Sequence, residues 1–110
     1  LSKQVIIFLF VALLFLAACR SDYEKEMEEV FSTEKNYAEK VYEIKIDEVN
    51  SEIAVYKFGK FISITYKPVE ENEEIVGVYK RNHESGYDRM DDESGINGNE
   101  PVIRKAILID

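Results

Sequence analysis

Two β-branched, aromatic-rich runs, residues 52–57 and 60–67, meet at Phe58-Gly59, and their pairing constrains the fold more than any other feature. A two-residue connection between such runs predicts an antiparallel hairpin. If Lys57 pairs with Lys60, then Tyr56 faces Phe61, Val55 faces Ile62, Ala54 faces Ser63 and Ile53 faces Ile64. One face of the hairpin then carries only Ile53, Val55, Ile62 and Ile64. The other carries Tyr56, Phe61, Ala54 and Ser63. A slip of one residue would mix the two sets, so turn and apolar pattern specify the same register. The aliphatic face is the one expected to bury against a helix.

That helix lies upstream. Ser21-Asp22-Tyr23-Glu24 reads as a capping box, and Tyr23, Met27, Val30, Phe31, Tyr37, Ala38 and Val41 recur at helical spacing. The stripe predicts an amphipathic helix over 22–41. Acidic residues crowd its first turns and Lys35 and Lys40 come late, which suits the helix dipole. Its carboxylates, Glu24 to Glu43, read as a solvated face. Residues 42–46 alternate and fit either a short strand or an extension of the helix.

After Pro68 closes the hairpin, residues 75–80 read as a third strand. The polar stretch 81–100 predicts a short strand near 87–90 followed by a mobile loop, because long unstructured connections are unusual in small domains. The tail, 102–109, fits a final strand or a short helix, its β-branched content leaning toward strand. The fold class expected is α+β, an N-terminal amphipathic helix packed on a curved antiparallel sheet of about four strands, in one domain over 22–110.

Ahead of the helix stands a different kind of segment. Lys3 precedes an apolar run, residues 5–15, that ends in Leu16-Ala17-Ala18-Cys19. Spanning a bilayer takes about 20 apolar residues, and this run is shorter. A cationic start, a short apolar core and small residues before a cut mark an export signal. Leu16, Ala17, Ala18 and Cys19 together resemble the lipobox of bacterial lipoproteins. In that family the cysteine thiol is diacylglycerylated and becomes the first residue of the mature chain. The resemblance implies a signal peptide over 1–18, a lipidated anchor over 19–21, and a bacterial cell membrane location facing outward.

Cleavage before Cys19 would leave 92 residues with 13 cationic and 22 acidic side chains, a charge of −9. Such acidity excludes nucleic acid as a partner, since phosphates need a basic footprint. It also argues against electrostatic attraction to anionic lipid, so attachment falls to acyl chains such as palmitate. Cys19 is the only cysteine, so no disulfide is available and the core is built by packing alone.

The run from Ile53 to Pro68, behind one amphipathic helix and a lipobox, resembles the small cystatin-like-fold lipoproteins of Gram-positive bacteria, a family of unassigned function. The similarity covers roughly residues 22–80. It implies a helix wrapped by a curved antiparallel sheet. Some members travel on integrative and conjugative elements, and blocking transfer of a redundant copy into the host cell has been associated with them. By that analogy the partner is an envelope or conjugation-machinery protein.

No catalytic constellation, cofactor motif or metal set is legible. The Gln-x-Val-x-Gly hairpin of protease-blocking cystatins has no counterpart, Glu74-Ile75-Val76-Gly77 lacking the glutamine and the spacing. His83 stands alone in a polar turn with no second ligand beside it. The acidic residues Asp88, Asp91, Asp92, Glu93 and Glu100 satisfy no EF-hand frame. Tyr56 and Phe61 share the hairpin face turned away from the expected core and are candidates for a protein-interaction face; the alternative is that the tail or the long loop covers them. A second function class, a small-ligand or enzymatic pocket between helix and sheet, would draw on Asp47 or Tyr66.

Overall fold

In the computed structural model, which describes residues 23–68 and 72–109, the hairpin adopts the register demanded by the alternation. Strand β1 (Ser51–Tyr56) pairs with β2 (Phe61–Tyr66) through Ile53↔Ile64, Ala54↔Ser63, Val55↔Ile62 and Tyr56↔Phe61. The turn between them has φ values of 49° at Lys57, 54° at Phe58 and 92° at Gly59. Hairpin turns that match strand twist need positive φ at their centre. Gly59 accepts it freely, whereas Lys57 and Phe58 each cost about 1–2 kcal/mol there.

Strands β3 (Ile75–Arg81), β4 (Tyr87–Met90) and β5 (Ile103–Ile107) complete one sheet in the order β4-β3-β2-β1-β5, every neighbour antiparallel. The sheet therefore has five strands where the sequence predicted about four. The extra strand is the tail, which pairs along the open side of β1 from Ser51↔Ile107 to Val55↔Ile103 and satisfies backbone groups otherwise left at an edge.

Helix α1 (residues 23–41) covers the front of the sheet. Met27, Val30 and Ala38 from its stripe are buried against Ile53, Val55, Ile62 and Ile64. The fold is thus α+β, one helix on a five-stranded antiparallel sheet. The alternating residues 42–46 form neither strand nor helix extension. Glu43 turns left-handed (φ 57°), the Ala38 carbonyl accepts from the amides of Tyr42 and Ile44, and a 3-10 turn, Ile46–Glu48, drops Ile46 into the core. The alternation there reflects one buried anchor, not a pleat.

The back of the sheet is covered by chain without regular structure. Residues 91–100 cross from β4 toward β5 and lay Ile96 against Ala54, Tyr56, Phe61 and Val78. A Cβ on Gly95 would lie only 2.3 Å from the Phe61 ring, so only glycine lets the strap approach this closely. The amide of Val102 then donates to the Val55 carbonyl at 2.7 Å. The segment expected as a mobile loop is a packed strap.

The strap also corrects the reading of Tyr56 and Phe61 as an exposed interaction face. Their relative exposures are 9% and 6%, so both are core residues of the back layer. An aromatic pair of this size on a thin domain buries too much apolar area to be left in water.

Candidate functional site

The centre of the helix–sheet interface holds a charge. Glu34 lies in the middle of α1, four residues after Val30 and four before Ala38, and is fully buried. Its carboxylate accepts from the Tyr66 hydroxyl at 2.6 Å and from the Tyr79 hydroxyl at 2.9 Å. Arg89 donates to it twice, Nε to Oε1 at 2.8 Å and Nη2 to Oε2 at 3.3 Å. Each oxygen therefore accepts two hydrogen bonds, two of the four from a guanidinium held in the bidentate geometry that suits it.

Strand geometry explains how the donors converge. Tyr79 on β3 and Arg89 on β4 are direct cross-strand partners, and Tyr66 ends β2 on the same face. Gly77, two residues before Tyr79, shares that face. A Cβ there would lie 2.6 Å from Glu34 Oε1, so the missing side chain is the space the carboxylate occupies. The Tyr37 ring, one helical turn after Glu34, lies 3.8 Å from the Arg89 guanidinium carbon and completes the enclosure.

Burial, and then the bond to Glu34, pushes the Tyr66 phenol far above its usual range. Tyr79 is raised in the same way, by burial and then by the negative charge of Glu34. Burial alone would lower the pKa of Arg89, but its bonds to Glu34 and the attraction between the two charges outweigh that and leave it raised. The chemistry this arrangement performs is cohesion. It joins one helix to three strands, and each oxygen of the carboxylate accepts two hydrogen bonds.

A second feature lies on the back of the sheet, at the end the strap leaves uncovered. An open cleft of about 460 Å³ is lined by residues that include Asn50, Glu52, Thr65, Arg104 and Leu108. Arg104 pairs across it with Glu52, and Leu108 is 71% exposed beside it.

Cys19, Leu16, Ala17, Ala18 and Ser21 lie outside the described residues. Tyr66 is buried, bound to Glu34, whereas Asp47 is on the surface, 3.3 Å from Lys35. The two are not brought together. His83 is exposed in the β3–β4 turn, which Asn82 organises by accepting from the amides of Glu84 and Gly86. Asp92 is engaged by Ser94, whose hydroxyl and amide lower its pKa. Among the described residues no three His, Cys, Asp or Glu side chains gather as a metal set, and no helix is long and apolar enough to cross a membrane.

Sequence reasoning placed Glu34 on the wet face. The signal that identifies it is positional, since it interrupts the stripe Met27, Val30, Ala38 at helical spacing, where a solvated glutamate would break the buried face. Comparison with protein-family models, curated protein sequences and solved structures finds no match to this chain.

Proposed function

We propose that the chain is a membrane-anchored surface lipoprotein whose folded domain is a non-catalytic protein-interaction module. The observation that carries this reading is Leu16-Ala17-Ala18-Cys19 at the end of a short apolar run. The geometry supports it through the state of the titratable groups. Glu34, Tyr66 and Tyr79 are buried and, with the partly exposed Arg89, satisfy one another. Glu26 keeps one buried carboxylate oxygen without a hydrogen-bond partner among the described residues, and the pairs Lys35–Asp47 and Glu52–Arg104 are solvated surface contacts. With Tyr56 and Phe61 buried, the surface we assign to a protein partner is the uncovered end of the back face, around the cleft and Leu108. The partner class drawn from the family resemblance is an envelope or conjugation-machinery protein, with exclusion of a redundant element as the outcome.

Mass analysis of the membrane-extracted product tests the anchor. Diacylglyceryl mass on a chain beginning at Cys19 is expected, and a Cys19→Ser form should retain its leader and lack acyl mass. An unacylated native product would overturn the anchor. For the partner, a donor–recipient mating assay should show element transfer falling when the recipient overexpresses the protein, and Leu108→Glu should relieve that fall without loss of the protein. Unaltered transfer under overexpression would overturn the exclusion role.

A further inference from the structure

We infer that the β1–β2 turn, Lys57-Phe58-Gly59-Lys60, is a second membrane contact that seats the domain on an anionic lipid surface. The inference rests on the anchor reading above and adds a site to it. Phe58 is 78% exposed, more than any other large apolar residue among those described. It stands in sequence between two exposed lysines, whose ammonium groups lie 5.4 Å (Lys57) and 5.8 Å (Lys60) from the centre of the Phe61 ring.

The turn lies at the end of the molecule where the tether begins. A Cβ on Gly59 would lie 3.0 Å from Cε1 of Tyr23, so the first described turn of α1 packs on the hairpin tip. Cys19 precedes Tyr23 by four residues. An extended chain covers at most about 3.5 Å per residue, so the lipidated cysteine can stand no further than about 14 Å from Tyr23. A bilayer holding Cys19 is therefore within reach of Phe58.

The tip is also held in shape. Lys57 and Phe58 keep left-handed backbone, which persists only where the surroundings enforce it. The Tyr87 hydroxyl donates to the Gly59 carbonyl, Arg81 donates to that hydroxyl, and the Lys60 amide closes the turn on the Lys57 carbonyl. The result is an aromatic ring aimed outward from a braced loop.

Its chemistry matches the lipid interface. An aromatic ring between two lysines places apolar surface at the acyl boundary and ammonium groups at the phosphates. The turn carries two cations and no acid, with Arg81 beneath it. Acids do stand at the same end, namely Glu24, Glu26 and Glu29 on α1 and Glu84 in the β3–β4 turn. The acidic strap also lies close, since its Gly95 packs on the Phe61 ring over which both ammonium groups stand, so the tip lysines attract lipid phosphates only at contact range. On a domain of net negative charge, this contact orients the molecule and leaves binding strength to the acyl chains.

The test uses the full chain matured in bacterial membranes, with acyl mass on Cys19 verified first. The chain has no tryptophan, so Phe58→Trp installs a single reporter at the tip. Vesicles of phosphatidylglycerol and phosphatidylcholine, or of phosphatidylcholine alone, carry bromine on shallow acyl carbons. In anionic vesicles the indole emission should shift to shorter wavelength and be quenched by the bromine. Both effects should weaken in neutral vesicles and be lost when Lys57→Glu and Lys60→Glu are added. In the unsubstituted protein, amide exchange over residues 57–60 should slow on anionic vesicles. Acylated, vesicle-bound protein whose indole stays in water would overturn the inference alone and leave the tip facing a protein. A missing acyl mass would overturn the anchor and the inference together.

Discussion

The front and back of this sheet are buried by opposite means. In front, a helix brings a carboxylate into the middle of the interface and meets it with two phenols and a guanidinium. Behind, a polar strap with a single apolar anchor, Ile96, lies over aromatic and small residues. The front gains directionality, because hydrogen bonds fix one placement of helix against strands. The back gains area and close approach, with Gly95 as the contact point. A small chain without disulfides uses both, since one apolar layer would leave its core thin.

The difference predicts unequal fragility. Glu34→Ala should be the most damaging change, costing about 3–5 kcal/mol in urea unfolding, because it strands a largely covered guanidinium and two buried hydroxyls. A loss under about 1 kcal/mol would show the cluster to be incidental. Gly95→Ala should cost about 1–3 kcal/mol by forcing the strap off Phe61, and equality with Glu34→Ala would erase the contrast between the faces. Tyr66→Phe, which removes one donor and keeps the ring, should cost about 1.5–3 kcal/mol, as for a hydrogen bond to a charged group. Smallest is Arg104→Ala, whose solvated pair with Glu52 predicts a change within about 1 kcal/mol.

Alkaline titration separates the faces by another route. Tyr66 and Tyr79 have raised pKa values in the folded state, so their contribution to stability is complete below the ordinary phenol value of about 10. Above it the unfolded chain releases protons that the folded chain retains, and stability falls as pH rises. Absorbance at the tyrosinate band should show these two phenols ionising only as the domain unfolds. Their ionisation in a still-folded protein, with the helical signal intact, would contradict the sealed front face.

The back and front were not equally legible in the sequence. Strand pairing was readable because Ile53, Val55, Ile62 and Ile64 sort to one side in only one register, and β4 was readable because Tyr87 and Met90 stand out in a polar stretch. Burial of Tyr56 and Phe61 was not, since what covers them is a strap whose composition resembles any solvated loop. Glu34 was hidden for the converse reason. Its type says surface while its position says core, and only the donors from β2, β3 and β4 reconcile the two. Gly77 carries the matching clue, an absent side chain in a strand interior, but its meaning depends on which residue fills the gap.

The pairing of β5 with β1 bears on how the domain comes into being. The strand made first among the five acquires its second neighbour only when the strand made last emerges. Contacts between distant parts of a chain form slowly. Closure of the sheet thus waits for residues 103–107, and a nascent chain of this topology keeps one side of β1 open until they have been delivered.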